Sequence, residues 1–264
     1  MPLKPPFNSI SAWLIDMDGV IYRGADVLPG AAQFIQSLQE NGHRFLFLTN
    51  NATKTPEQSV ARLAGMGIQV PISAIFTSAL ATAAFLVDKH PPPKRVLVLG
   101  GAGIQTALSE AGYDLVVRAG QAEIVVNALD QNATYADFAE AALAIAAGCP
   151  WIATNADPSL PTERGNLPGA GAMIAVLSTT TGQEPEIIGK PSVAIFEQAL
   201  GRLGAEPQDT VMVGDRLTTD ILGGHRAGLK TLCVLTGIST RAMAESYDPR
   251  PDWIVPDLRA VLDQ

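Results

Sequence analysis

The stretch Trp13-Leu14-Ile15-Asp16-Met17-Asp18-Gly19-Val20 decides the fold. Three apolar residues run into two carboxylates placed two positions apart, and a glycine follows. A short unbroken apolar run ending in polar residues and glycine predicts a strand buried on both faces, as parallel sheets require. Open sheets of this kind bind ligands outside the carboxyl ends of their strands, which is where Asp16 and Asp18 fall. Alternation along an extended chain sends the two side chains to different tasks. Asp16 is suited to act as nucleophile and metal ligand, and Asp18 to face a leaving group as general acid. Gly19 lets the chain turn away sharply.

Working outward, the same pattern recurs three times. Phe45 to Leu48 is an apolar run that ends in Thr49-Asn50-Asn51, whose hydroxyl and amide groups can donate to phosphate oxygens. Thr210 to Val213 leads into Gly214-Asp215, with Asp220 five residues further on, adding carboxylates that suit an oxygen-ligated Mg2+. Lys190, in Gly189-Lys190-Pro191, supplies a positive point charge ahead of a helix predicted over 191–203. Each element alone also fits a plainer role: Asp-x-Asp as a turn or a calcium loop, Asn50-Asn51 as a turn, Lys190 as a surface residue, Gly214-Asp215 as a helix cap. Their common placement beside predicted strand ends favours one shared site.

The rest of the chain alternates in the same way. Strands are predicted at 12–15, 45–48, 74–76, 95–99, 124–126, 151–154, 210–213 and 231–235, and helices after Pro29 and Thr55, over 135–147 and over 217–227. Pro29 and Pro56 suit first-turn positions, Thr55 a cap, and Gly42, Gly65 and Gly67 helix ends. Pro91-Pro92-Pro93 marks a boundary, after which a second strand and helix series runs to about Pro185. The fold class expected is therefore α/β, a doubly wound parallel sheet from residues 1–83 and 186–264 interrupted by an inserted α/β domain over 84–185.

Composition narrows the function. The 264 residues are 47% hydrophobic, enough for a substantial core, and carry a net charge of -8 with no basic run, which argues against binding a nucleic acid polymer. An anionic substrate would then need a local positive field from a metal, a lysine and backbone amides. Cys149 and Cys233 form no disulfide or zinc pattern, the first ten residues hold three prolines and no signal-peptide core, and no run reaches membrane-spanning length. A soluble cytoplasmic protein is the expectation. Gly100-Gly101-Ala102-Gly103 lacks dinucleotide-binding spacing, Pro191 stands where a P-loop needs Ser or Thr, and His43, His90 and His225 show no ligand spacing.

The ordered set Asp16-x-Asp18-Gly19-Val20, Thr49-Asn50-Asn51, Gly189-Lys190-Pro191-Ser192 and Gly214-Asp215-Arg216-Leu217-x-Thr219-Asp220 resembles the haloacid dehalogenase (HAD) superfamily. More narrowly it resembles the NagD and 4-nitrophenyl phosphatase branch, subfamily IIA, and Asn155-Ala156-Asp157, Pro161 and Pro168-Gly169-Ala170-Gly171-Ala172 resemble that branch's inserted cap. The resemblance implies a phosphatase of small phosphomonoesters in which Asp16 attacks phosphorus to form an aspartyl-phosphate. Asp18 would protonate the leaving oxygen and then deprotonate the hydrolytic water. Mg2+ would be held by Asp16, Asp215 and the Asp18 carbonyl with Asp220 in support, while Thr49, Asn50, Asn51 and Lys190 bind the phosphoryl group. Asn127 stands where a glycine is usual, Thr218 where an acid is usual, and Leu160 where relatives preferring pyridoxal phosphate carry His. Nucleoside monophosphates, sugar phosphates, phosphoglycolate and aryl phosphates all remain as substrates. A phosphotransferase or carbon-halogen hydrolase on the same scaffold, and a catalytically silent binding module, are the alternatives; the inserted domain offers a surface for a homodimer.

Overall fold

The structure is a computed structural model that describes residues 2–162 and 164–263. The chain forms two compact units, one of residues 1–49, 59–76 and 190–264 and the other of residues 50–58 and 77–189.

The first unit is built on a six-stranded sheet in the order Trp253–Val255, Lys230–Val234, Thr210–Gly214, Ala12–Ile15, Arg44–Thr49, Ile75–Thr77. The pairings that flank Ala12–Ile15 are parallel, with Ile15 opposite Val213 on one side and Phe47 on the other. Chain order explains where a site forms. From Ala12–Ile15 the chain steps outward in one direction to Ile75–Thr77, and its second half starts on the opposite side with Thr210–Gly214 and steps the other way. The reversal lies between Ala12–Ile15 and Thr210–Gly214, and crossovers diverging from that point leave a crevice at the carboxyl ends. Asp16 and Asp215 are the first residues past those two ends.

The unbroken apolar runs behave as two-sided burial demands: every residue of Ala12–Ile15 and of Thr210–Gly214 is buried. Trp13 packs edge-to-face on Phe34 of helix Ala31–Glu40, with ring centroids 5.2 Å apart, and both side chains are fully buried. That helix starts at Ala31 with Gly30 as its cap, so Pro29 precedes the helix instead of opening it. Gly30 has φ +81°, and a Cβ there would come within 2.4 Å of the Arg259 amide nitrogen, so glycine serves both the turn and the close approach. Helix Pro56–Gly65 does open on its proline, and Thr55 caps it reciprocally with Gln58: the Gln58 amide donates to Thr55 Oγ1 at 3.3 Å and the Thr55 amide to Gln58 Oε1 at 3.1 Å. The helix expected over 217–227 is instead a π-helical turn, Leu217–Ile221, running into a short α-helix, Leu222–Arg226.

The second unit carries a five-stranded sheet in the order Glu186–Ile187, Trp151–Ala153, Ile124–Asn127, Arg95–Leu99, Asp114–Val116, with parallel pairings throughout, and a hairpin of Ser159–Thr162 and Gly165–Pro168. Its core gathers Leu97, Leu99, Val125, Ile145, Trp151, Ile174 and Leu177. Segment 50–58 belongs to this unit because it is stitched to helix Ala102–Glu110: the Gly103 amide donates to the Thr53 carbonyl, and a Cβ at Gly103 would sit 2.4 Å from the Ala52 carbonyl oxygen. Among the described residues no helix is long and apolar enough to cross a membrane.

Truncating the aromatic pair is the direct check on this core. Phe34→Ala removes a fully buried ring and leaves a cavity against Trp13, so it should lower unfolding free energy by about 3–5 kcal/mol in urea titrations. A loss below about 1 kcal/mol would contradict the packing described.

Candidate active site

Four charged groups from separate segments meet at the reversal of the first sheet. Lys190 Nζ lies 2.9 Å from Asp16 Oδ1 and 2.7 Å from Asp220 Oδ1, and it donates a 2.8 Å hydrogen bond to the Leu48 carbonyl. Lys190 is only 2% exposed and Asp220 is fully buried, so the ammonium is held by fixed protein atoms in place of water. Burial alone would lower the lysine's proton affinity, but the charges of Asp16 and Asp220 outweigh it and hold the ammonium above its ordinary range.

Asp220 reaches this depth because Gly214 has no side chain: a Cβ there would fall 2.1 Å from the Asp220 Cβ. Its second oxygen, Oδ2, accepts the Arg216 amide at 3.0 Å. Asp215 is walled in similarly. Its Oδ2 accepts the Ile238 amide at 2.7 Å, and a Cβ added to Gly19 or Gly237 would collide with its carboxylate. Thr236 Oγ1 donates to the Gly19 carbonyl at 2.6 Å, and Arg23 donates to the Thr236 carbonyl, tying the loop at 236–239 to the turn after Asp18.

Ligand oxygens of Asp16, Asp215 and Asp220 all lie within 4.8 Å of one another. Three converging carboxylates, if all were ionised, would leave two negative charges uncompensated by the one ammonium. Burial first, then the neighbouring carboxylates Asp220 and Asp215, push the Asp16 carboxyl well above its ordinary range against the opposing pull of Lys190. Burial and Asp220 together raise Asp215 to about 6. Such a set fits a hard divalent cation bound through oxygen. Lys190 and the Arg216 amide occupy both Asp220 oxygens, and the bonds to Lys190 and Ile238 use Asp16 Oδ1 and Asp215 Oδ2. Among the described residues, Asp16, Asp215 and Asp220 each offer an oxygen to such a cation.

The chain is 42% identical over 251 residues to the acid sugar phosphatase of Staphylococcus epidermidis, covering 95% of this chain and 96% of that one. Family models described as haloacid dehalogenase-like hydrolase and HAD-hydrolase-like match residues 13–114 and 187–261. The chain belongs to the HAD superfamily. Within this superfamily it superposes on NagD of Escherichia coli K-12 with a TM-score of 0.89 at 34% identity, over 97% of this chain and 99% of that one. It also superposes on the glycerol phosphate phosphatase of Mycobacterium tuberculosis, whose structure is a complex with magnesium, with a TM-score of 0.90 at 38% identity, over 96% of this chain and 77% of that one. These likenesses bear out the expected branch and the α/β class with an inserted domain.

The other expected site residues are placed as follows. Thr49 is buried at the end of its strand in the first unit. Asp18 is exposed beside the turn at Gly19. Asn50 and Asn51 fall in the second unit. There the Asn50 carbonyl accepts Ser78 Oγ at 2.7 Å and Asn155 Nδ2 at 2.8 Å, Asn50 Nδ2 donates to Asp157 Oδ2 at 3.2 Å, and Asn51 Oδ1 takes the Thr53 amide and hydroxyl. Sequence reading missed the loop at 236–239. The signal for it was Thr236-Gly237 directly after a strand, the same strand-end pattern as the other three.

The raised carboxyls make stability depend on pH with a definite sign. A carboxyl whose folded pKa lies above its unfolded value stabilises the fold below the unfolded value, near 3.8, and loses that contribution as pH rises through the folded one. In EDTA the melting temperature should therefore fall between pH 5 and pH 8. Mg2+ should restore it at pH 8 and do little at pH 5, and Asp215→Asn should flatten the slope; a melting temperature indifferent to Mg2+ at pH 8 would contradict the cation site.

Proposed function

We propose that this chain is a Mg2+-dependent phosphatase of small phosphomonoesters that works through an aspartyl-phosphate on Asp16. The observation that carries the reading is the Asp16–Lys190–Asp220 array beside Asp215, at the one point of the sheet where crossovers diverge. Phosphoryl transfer requires little covalent work from a protein beyond a placed nucleophile; positioning and neutralisation of the equatorial oxygens supply most of the acceleration.

In this reading Asp16 attacks phosphorus in line, and the ester oxygen leaves with the proton delivered by Asp18. Asp18 then takes a proton from the water that cleaves the acyl phosphate, returning Asp16. Lys190 is fixed beside Asp16 Oδ1 before substrate arrives, so its positive charge already stands next to the nucleophile where phosphoryl charge develops. Thr49, Asn50 and Asn51 complete the phosphoryl contacts, the first by hydroxyl and the others through a loop whose peptide groups are held in place. A bound Mg2+, held by Asp16, Asp215 and the Asp18 carbonyl with Asp220 in support, would neutralise charge shared by nucleophile and phosphate. The names of the relatives favour sugar and glycerol phosphates among the substrates considered.

Phosphate release from a panel of sugar phosphates, glycerol phosphate, nucleoside monophosphates, phosphoglycolate and p-nitrophenyl phosphate tests this. Wild type should turn over at least one ester in Mg2+ and none in EDTA, and Asp16→Asn should lose at least about 10³-fold in kcat, roughly 4 kcal/mol of barrier. Activity that survives Asp16→Asn would remove the covalent route, whereas no release from any ester would favour the silent binding module.

A further inference from the structure

Asp18 is the exposed member of the acidic set, and an acid that must aim one proton at a leaving oxygen needs its rotamer fixed. The structure supplies a holder from the short hairpin that follows. Residues Tyr22–Arg23 pair with Asp26–Val27, the Gly19 amide donates to the Tyr22 carbonyl at 2.9 Å, and the Tyr22 amide donates to the Met17 carbonyl, so the backbone from Met17 to Tyr22 is a closed turn. This turn pairs Asp18 with Tyr22 in an isolated parallel bridge and brings the phenol onto the Asp18 side chain, with which its hydroxyl hydrogen-bonds. The ring is 4% exposed and cannot swing away, because the Arg62 guanidinium lies over its face 4.0 Å from the centroid. Arg62 is itself pinned by a hydrogen bond to the Gly24 carbonyl of the same hairpin.

We propose that Tyr22, clamped by Arg62, is a positioning residue for the general acid: it engages one Asp18 oxygen and leaves the other to carry the proton to the leaving group. No atom of Tyr22 exchanges with substrate. The proton moves from Asp18 to the ester oxygen as the P–O bond breaks, and the phenol keeps its own. This rests on the phosphatase reading above, and it makes a demand that general packing would not. Protonation matters most for a poor leaving group such as an alkoxide and least for p-nitrophenolate, which departs readily without a proton.

The test is Tyr22→Phe, assayed on glycerol phosphate and on p-nitrophenyl phosphate with saturating Mg2+. The expected result is a loss of roughly 10-fold or more in kcat on the alkyl ester, at most about 2-fold on the aryl ester, and KM within about 2-fold on both. Equal losses on the two esters, or none on either, would overturn the proposal. Asp18→Ala and the double variant complete a cycle: once Asp18 is absent, Tyr22→Phe should have no further selective effect. The same cycle is read by thermal melting, where coupled shifts are expected and additive shifts overturn the contact. That arm stands even if wild type turns over neither ester, an outcome that would count against the phosphatase reading itself.

Discussion

A lysine ammonium removed from water must be matched by fixed partners, and that requirement organises the first unit. Lys190 is surrounded by the Asp16 and Asp220 carboxylates and the Leu48 carbonyl, which come from three different segments of the chain. Breaking a buried pair by removing one member typically costs about 3–5 kcal/mol, because the other charge is left uncompensated. The strands carrying Asp16 and Leu48 are adjacent in register, and Asp220 is carried beside them by the turn after Thr210–Gly214. The array thus ties the two halves of the interrupted chain into one sheet. It also explains the π-helical turn at Leu217–Ile221: placing Asp220 so that one oxygen meets Lys190 while the other accepts the Arg216 amide calls for a wider first turn than an α-helix gives.

Sequence patterning read the central strands closely because their chemistry is one-dimensional. Ala12–Ile15 and Arg95–Leu99 are apolar runs with sharp polar or glycine ends, and the observed bounds match the expected ones. Elements that depend on tertiary context were harder. The hairpin Tyr22–Arg23 with Asp26–Val27 has only two residues per strand, and Glu186–Ile187 becomes a strand through its neighbour Trp151–Ala153. Helix Ala170–Thr181 was hidden behind the glycines at 165, 169 and 171, of which Gly169 and Gly171 serve close backbone approaches to Asp157 and Ala156 more than they break structure. Gly100–Gly103, which lacks dinucleotide-binding spacing, runs from the end of a strand into helix Ala102–Glu110.

The candidate site divides along the same line. Asp16, Asp215 and Lys190 could be picked out because each sits just past an apolar run or beside a glycine, and Asp220 because it follows Asp215 by five residues, and the structure brings those four together. What sequence could not show is which atoms are already engaged. That Lys190 and Arg216 occupy both oxygens of Asp220, and that Asp215 leans on the Ile238 amide, are facts of three-dimensional closure. Tyr22 was invisible for a related reason: its importance comes from a turn that folds four residues back on themselves, and no period of helix or strand encodes that.

The glycines around the acidic cluster carry a consequence for ion choice. Gly19, Gly214 and Gly237 let main chain press directly on the Asp215 and Asp220 carboxylates, so the cluster is bounded by backbone on those sides. Side-chain walls can change rotamer to accommodate a larger guest, but a backbone wall yields only if the sheet end moves with it. A cation held there would meet a rigid frame, which would suit the short bonds and strict octahedral demands of a small ion better than Ca2+, with its longer bonds and six to eight ligands. Selectivity among divalent ions would then reside in three positions that contribute no ligand side chain at all.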